Sequence, residues 1–254
     1  MKKLALVSAV ILLGISFLGA YHSNSIGLYT PSTLQNVQGE INLGHRFFGQ
    51  VNHDVLDSFF GSSSGANAIV GYRQHFLFGA EAKIAYHTAN KQLELGAAWQ
   101  YQNDDFPIKL QLDAGYASFR KEFSTDRESD IGVMLSAQNK PIADRLIFTL
   151  NTGYNTYYER LALGLGTQIM ITDDISLLGE FYPLLDDENS SDNVYSVGKH
   201  SAFAAGIALD TYGHSFIFSL GNDPMHFNTA GHSLGADNKG ILHLGFNIKR
   251  RLGF

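Results

Sequence analysis

Residues 231–235 read GHSLG, a Gly-x-Ser-x-Gly string of the kind that marks the nucleophile elbow of many serine hydrolases. In such an elbow Ser233 would attack a carbonyl carbon from a strained turn between a buried strand and a helix. The flanking sequences HFNTA and ADNKG are typical of a loop instead, and no alternation of strands and helices supplies the scaffold. We therefore interpret this string as part of a loop and predict no catalytic residue.

Metal chemistry is the next possibility. His226 and His232 share a loop with Asp223 and Asp237, but their spacing matches no recognised ligand motif. We interpret both histidines as solvent-exposed. The acidic segment LDDENSSDN lacks the glycine and the terminal glutamate of an EF-hand loop, so it is interpreted as a solvated external loop. The sequence predicts no metal and no cofactor.

The composition narrows the class of protein. The 254 residues carry a net charge of −6 and are 17% charged, which argues against both nucleic-acid binding and disorder. With 26 glycines, 12% aromatic residues and five prolines, the chain is typical of an all-β protein. The absence of cysteine excludes disulfides, thiolate metal sites and a lipid-modified cysteine.

The first twenty residues have the order of a secretory signal peptide. Lys2 and Lys3 precede an apolar run that ends near Ala20, and polar residues follow. No basic stop-transfer cluster follows the run, which favours a signal peptide over a membrane-anchoring helix. We predict a signal peptide over residues 1–20, with cleavage as late as about residue 25, and one domain over residues 26–254.

The rest of the chain alternates apolar and polar residues with a period of two. The stretch QLELGAAWQY, for example, places Leu93, Leu95 and Trp99 on one face and Gln92 and Glu94 on the other. About twelve such strands are predicted, most of them near the ~9–11 residues that a tilted strand needs to cross a bilayer. Their approximate starts are 37, 66, 79, 91, 107, 130, 145, 160, 175, 200, 214 and 240.

The connections between these strands also alternate. Short turns follow the even-numbered strands, whereas several odd-numbered strands precede long loops, at 49–65, 119–129, 184–199 and 222–239. Short periplasmic turns and longer external loops are the rule in bacterial outer-membrane barrels. We therefore predict an antiparallel transmembrane β-barrel with both chain ends in the periplasm.

The polar faces of the strands suit a barrel interior, because they mix glycine, small residues and charges of both signs. Arg46 would either select anions or pair with an interior carboxylate such as Glu81 or Asp113, and pairing is favoured. Aromatic residues near strand ends, including Trp99, Tyr116, Phe119 and Tyr158, are interpreted as interfacial girdles. The predicted lumen-lining residues are Arg46, Arg73, Glu81, Lys83, Glu94, Lys109, Asp113, Glu180, Asp210, Lys249 and Arg251.

The last strand carries an expected assembly signal. Phe246, Ile248, Leu252 and the terminal Phe254 share one apolar face, interrupted by Arg250. A final amphipathic strand that ends in phenylalanine resembles the signal that outer-membrane barrels present to the barrel-assembly machinery. This machinery and the lipid bilayer are therefore the predicted partners.

Four segments together resemble a known bacterial family: GEINLGHRFFG (39–49), SSSGANAIVGYR (62–73), YGHSFIFSLGND (212–223) and HLGFNIKRRLGF (243–254). It is an uncharacterised domain-of-unknown-function family of outer-membrane β-barrel proteins that carry a signal peptide. The resemblance implies an outer-membrane barrel, but no enzyme activity, cofactor or substrate. It is weakest in the last long loop, which contains GHSLG.

Three functions fit this architecture. The first is a narrow channel or small-solute transport barrel, in which loop 222–239 is long enough to fold inward as a constriction. The second is a closed structural barrel that partners another envelope protein. The third is a membrane-embedded serine hydrolase, since outer-membrane phospholipases place a Ser–His pair on a twelve-stranded barrel. Its candidate residues are His232, Ser233, His214 and Ser215, although His214 and Ser215 are neighbours on opposite faces of a strand and cannot form a dyad together.

Overall fold

The computed structural model describes residues 24–253, except for 32–33, 35–36, 53–54, 56–58, 102, 104, 121–124, 187–196 and 224–228. The predicted signal peptide at residues 1–20 and the terminal Phe254 lie outside the described residues. No helix among the described residues is long and apolar enough to span a bilayer.

The described residues form twelve strands. Each pairs with its neighbours in antiparallel order, and β1 pairs with β12, so the sheet closes into a barrel. The strands are β1 (Gly39–Phe47), β2 (Ala66–His75), β3 (Ala80–His87), β4 (Gln92–Tyr101), β5 (Ile108–Arg120), β6 (Arg127–Asn139), β7 (Leu146–Asn155), β8 (Arg160–Met170), β9 (Ile175–Tyr182), β10 (Ala202–Thr211), β11 (His214–Gly221) and β12 (His243–Leu252).

This architecture confirms the predicted antiparallel barrel of about twelve strands. Every strand begins within three residues of its predicted position. The predicted loop over 119–129 is too long at both ends, because Arg120 pairs in register with Arg127 and the two strands continue into that stretch. The charged side chains in this stretch hide the alternation of apolar and polar residues. Such side chains can still occur in strands that extend beyond the apolar layer of the membrane.

The polarity of the barrel is the reverse of that of a water-soluble protein. Large apolar side chains such as Leu161 (62% exposed) and Phe218 (54% exposed) face outward, whereas Asn151 and Ser136 are fully buried. This arrangement places an apolar band against lipid and a polar interior inside the barrel. The period of two therefore reports the lipid-facing and lumen-facing sides of each strand.

The connections differ between the two ends of the barrel. At one end the turns are tight, as in the β2–β3 turn, where Phe78 (φ 61°) and Gly79 (φ 78°) adopt the left-handed conformation. The opposite end carries the long β1–β2, β9–β10 and β11–β12 connections, the last of which contains the short helix α1 (Thr229–Leu234). The tight-turn end is periplasmic in outer-membrane barrels.

The predicted aromatic girdles are only partly correct. Trp99 and Tyr116 are exposed on the outer surface, and the indole of Trp99 donates a hydrogen bond to the Phe78 carbonyl. Phe119 and Tyr158 are buried instead, and both pack against Tyr157, with ring centroids 5.0 Å and 4.8 Å away. An aromatic residue near a strand end can face either the lipid headgroups or the inside of the barrel. Phe119 and Tyr158 pack inside it.

A charge in the outward band tests this membrane placement. Val133 lies at the middle of β6 and faces outward. Val133→Arg is expected to lower the free energy of unfolding by about 2–4 kcal/mol, the usual cost of arginine at the bilayer midplane. Denaturant titration in lipid vesicles measures this value. Asp173→Arg in the β8–β9 turn is the control and is expected to change it little; an equal loss in both variants would contradict the assignment.

Candidate functional site

An extended segment preceding β1 lies inside the barrel. We call residues 24–31 the N-terminal strap. The side-chain amide of Asn24 donates to both carboxylate oxygens of Asp210, at 3.1 and 2.9 Å, and its backbone N–H donates to Gln168 Oε1 at 3.1 Å. Ser215 Oγ donates to Asn24 Oδ1 at 2.9 Å. Interior polar groups of β8, β10 and β11 therefore hold the start of the strap.

The backbone of the strap is bound where it passes β9. The N–H groups of Ile26 and Gly27 donate to the two carboxylate oxygens of Glu180, at 2.6 and 2.8 Å. The Ile26 carbonyl accepts from Arg46 Nη2 at 2.7 Å and from Asn247 Nδ2 at 2.9 Å. The strap belongs to no sheet, so its buried backbone groups must find partners elsewhere, and these side chains provide them.

The side-chain amide of Asn151 forms two hydrogen bonds with the backbone of Tyr29, as a residue on a neighbouring strand would. Its Oδ1 accepts from the Tyr29 N–H and its Nδ2 donates to the Tyr29 carbonyl, both at 2.8 Å. A side-chain amide can satisfy one donor and one acceptor of the same residue in this way. Asn151 thereby fixes the strap at one position on the inner face of β7.

Glycines on the inner wall make room for the apolar side chains of the strap. A Cβ atom at Gly164 would lie 2.5 Å from Leu28 Cδ2, and one at Gly166 would overlap Leu28 Cδ1. On β10, a Cβ atom at Gly206 would lie 3.2 Å from Ile26 Cδ1. The missing side chains of these three glycines therefore form the sockets into which Leu28 and Ile26 fit.

Helix α1 folds into the barrel and packs against β6, β7 and β8. His232, only 1% exposed, has its Nε2 3.0 Å from the Gly27 carbonyl, and its ring lies between those of Tyr29 (5.7 Å) and Tyr182 (4.7 Å). The interpretation of His232 as solvent-exposed was therefore wrong, because the last loop turns inward over the strap. His226 lies outside the described residues.

The GHSLG string supplies the last four residues of α1 and then Gly235, whose φ of 70° ends the helix. Ser233 is buried beside His232. Among the described residues the preceding strand, β11, already ends at Gly221, and the string shows no strand-to-helix elbow there.

The opposite half of the interior contains a cavity of about 250 Å³. On one side it is bounded by strap residues from Ser25 to Thr30. The other side is the inner wall of β1–β6 and β12, where Gly71, Gly96, Gly115 and Gly132 leave space because they carry no side chains. We call this space the lumen cavity.

Most of the charged residues around the lumen cavity form contacts within the wall. Arg73 Nε lies 3.1 Å from Glu40 Oε1, and Lys83 pairs with Asp113. Glu81, which is not part of the cavity lining, has its Oε1 atom 3.3 Å from His75 Nδ1. Short contacts of this kind stabilise charges in a confined space, where isolated ions would be poorly solvated.

Glu94 and Asp130 are held in the same way nearer the long-loop end. Glu94 lies 3.3 Å from His87 and accepts a hydrogen bond from Gln92. Asp130 accepts a hydrogen bond from Asn155 and another, at 3.0 Å, from the backbone N–H of Tyr157. These contacts leave the two carboxylates fixed against the wall.

The predicted lumen-lining residues divide into three groups. Glu180, Asp210 and Arg46 hold the strap, whereas Glu81, Lys109 and Arg251 do not border the lumen cavity. The residues that border the cavity are Arg73, Lys83, Glu94, Asp113 and Lys249.

Arg46 meets a different interior carboxylate from the two named in the expectation, since Glu180 acts on it electrostatically. Glu81 and Asp113 contact His75 and Lys83, and Arg46 instead binds the Ile26 carbonyl and Asn247 Oδ1. The strap itself was not predicted as part of the site, because residues 24–31 were read as the surroundings of a cleavage site. The sequence feature that could have indicated the strap is the pair of inward-facing glycines on β8, Gly164 and Gly166. Their meaning becomes clear only when the residue that faces them, Leu28, is known.

Three of the four expected assembly-signal residues, Phe246, Ile248 and Leu252, lie on the outer side of β12, and Phe254 is outside the described residues. Phe246 stacks against His45 with ring centroids 4.7 Å apart, and Ile248 and Leu252 are partly exposed. Arg250, which interrupts this face, lies 2.9 Å from His214, its partner in register on β11. Their role in assembly stays a prediction.

No group of three or more His, Asp or Glu side chains within the described ranges is arranged to hold a metal ion. Most of the acidic segment LDDENSSDN lies outside these ranges.

Leu28 and its glycine socket allow a test of the strap. Gly166→Ala would crowd Leu28 and is expected to weaken strap docking by about 1–3 kcal/mol, the usual cost of overpacking. Hydrogen exchange of the backbone amides of residues 24–31 measures this loss of protection. Adding Leu28→Ala to the same chain should relieve the crowding.

Gly115→Ala is the control, since a Cβ atom there meets only an ordinary contact at 3.6 Å. Unchanged protection of the strap in Gly166→Ala would show that Leu28 is not seated on Gly166.

Comparison with solved structures shows the same fold at low sequence identity. The KdgM porin superposes with a TM-score of 0.52 at 10% identity, over 85% of this chain and 99% of that one. The NanC porin superposes with a TM-score of 0.50 at 11% identity, over 85% of this chain and 100% of that one. No curated protein matches the sequence.

A family model described as a membrane bound beta barrel domain (DUF5777) matches residues 22–252. The match spans nearly all of the described barrel, and the outward apolar band is the surface that such a domain presents to lipid. The protein is thus an outer-membrane β-barrel embedded in the lipid bilayer, and it belongs to this family of membrane-bound β-barrel domains.

Proposed function

We propose that this barrel is a narrow channel that conducts small solutes across the outer membrane through the lumen cavity. The observation that supports it is the unequal filling of the interior. The strap and α1 lie mainly against β7–β11, with further contacts to β1, β6 and β12, while the inner wall of β2–β5 is lined by glycine and left open.

The position of the cavity along the barrel axis supports a path rather than a packing defect. Its lining begins at Glu40, the second residue of β1 at the tight-turn end, and reaches Asp130, near the long-loop end of β6. Charged and polar groups occur along this length, so a hydrated solute meets hydrogen-bonding partners throughout. Their fixed contacts keep the wall in one arrangement.

The strap makes the proposed channel narrow. A twelve-stranded barrel has limited internal space once its side chains are placed, and here an extended segment takes up part of what is left. The two solved structures reported above are both named porins, which agrees with a channel on this fold.

A closed structural barrel is the second candidate. It is favoured by the extent of the hydrogen bonding that holds the strap, since Asn24, Ile26 and Tyr29 are each bound at two or more groups. A hydrolase has less support, because the Nε2 atom of His232 faces the Gly27 carbonyl and Ser233 is its immediate neighbour in α1. Insertion by the barrel-assembly machinery remains part of the proposal.

Filling the cavity tests the channel. Gly115 lies on the glycine-lined wall, so Gly115→Phe should place a ring in the path and lower single-channel conductance at least about threefold. Planar bilayer recordings of the purified protein measure the conductance. Ala97→Phe on the neighbouring strand faces outward and should leave the conductance unchanged.

The wild-type recordings distinguish the two candidates. Reproducible single-channel steps are expected for a channel. Their absence at high protein load would contradict the channel and favour the structural barrel, as would equal conductance in Gly115→Phe and wild type.

A further inference from the structure

Lys249 differs from the other charged residues around the lumen cavity. It lies on the inner face of β12, is 8% exposed and borders the cavity. Among the described residues, each of the other charged side chains in the lining contacts an opposite charge or a hydrogen-bonding partner. The Lys249 ammonium makes no hydrogen bond or close ion pair within the described part of the chain, although the carboxylates of Glu40, Glu180 and Asp210 act on it electrostatically. A buried cation facing open space is a group prepared to bind an anion.

Two oxygen atoms on the neighbouring strand β1 are buried acceptors that lack a hydrogen-bond donor among the described residues. Asn42 Oδ1 and Glu40 Oε2 are buried and accept no hydrogen bond from the described residues. Asn42 is the partner of Lys249 in register across the β1–β12 pair, and Glu40 lies two residues along β1 on the same inner face. Both residues border the lumen cavity.

Unsatisfied buried groups of this kind are rare because each costs the free energy of its lost hydration. Here one donor and two acceptors occur together, next to a cavity of about 250 Å³. A ligand that satisfies all three groups must carry an anionic acceptor and a hydrogen-bond donor within one small molecule.

We propose that Lys249, Asn42 and Glu40 form a binding site for a small α-amino or α-hydroxy acid. The carboxylate of the ligand accepts from Lys249 Nζ, and its adjacent ammonium or hydroxyl group donates to Asn42 Oδ1 and Glu40 Oε2. This inference rests on the proposed channel for its biological meaning, since it names the class of solute that would enter.

The neighbouring charges agree with this ligand rather than with simpler ions. A carboxylate without an adjacent donor would leave both acceptors unsatisfied. A free cation would satisfy Asn42 Oδ1 and Glu40 Oε2, but it would be repelled by Lys249 and would leave that ammonium without a hydrogen-bond acceptor. A small molecule with the two groups on adjacent atoms meets both requirements.

Isothermal titration calorimetry on the detergent-solubilised full-length mature protein tests the site. Four probes are compared: L-alanine, L-lactate, propionate, which lacks the donor, and ethylamine, which lacks the carboxylate. We expect L-alanine or L-lactate to bind more tightly than propionate and ethylamine, by at least about tenfold, as expected for a charge-assisted hydrogen bond.

Three variants show which group of the site binds which part of the ligand. Lys249→Met should weaken binding of the favoured acid at least about tenfold, and Lys249→Arg should retain most of it, because the charge is kept. Asn42→Leu should reduce the preference for that acid over propionate. Lys140→Met, in the exposed β6–β7 turn, is the matched control and should bind as wild type does.

The outcomes separate this site from the channel. Binding without conductance would support the site and overturn the channel, whereas conductance without binding of any of the four probes would overturn the site alone. Equal affinity for L-lactate, L-alanine and propionate, or unchanged affinity in Lys249→Met, would also overturn the site. Heat-modifiable electrophoretic mobility verifies that each variant is a folded barrel.

Discussion

The constraint on which this structure depends is that a backbone within a bilayer must satisfy its own hydrogen bonds. Lipid offers no donors or acceptors, so a strand can cross only if both of its edges are paired. The pairing of β1 with β12 meets this condition, because it removes the last free edges of the sheet. The outward apolar band and the polar interior follow from that closure.

Closure creates a second requirement inside the barrel. A polar lumen must be filled by side chains, water or further chain, and here part of it is filled by the N-terminal strap. Since the strap joins no sheet, side chains of the wall replace strand pairing: Glu180 binds two consecutive N–H groups and Asn151 binds both groups of Tyr29. The side chains of the wall therefore bind the backbone of the strap as they would bind a separate peptide. His232 adds a contact from the external side and connects α1 to the same segment.

The asymmetry of the interior explains how one barrel can be both packed and open. On β8, glycines receive Leu28, so the strap lies close to the wall. On β2–β6, glycines face no such side chain and leave the lumen cavity. The same residue type thus serves two purposes, and the difference lies in what occupies the space in front of it. The proposed solute site lies at the edge of this open side, where Lys249 faces the cavity.

Most of the fold was accessible from the sequence, because the period of two in each strand is a local property that reports two different environments. The strand positions, the alternation of short and long connections and the inward direction of residues such as Glu180 and Lys249 all follow from it. The errors arose where the local pattern is ambiguous. Phe119 and Tyr158 are aromatic residues near strand ends whether they face lipid or close the interior, and charged residues at 119–129 resemble a loop although Arg120 and Arg127 are paired.

What the sequence by itself determined is therefore the barrel, its membrane face and the set of side chains that point inward. Only the tertiary structure decided which of these inward residues meet, because contacts across a lumen join positions that are far apart in the chain and follow no period. Arg46 binds the carbonyl of Ile26 rather than Glu81 or Asp113, and His232 lies over Gly27 rather than in solvent. The strap inside the barrel and the cavity beside it arise from such long-range contacts.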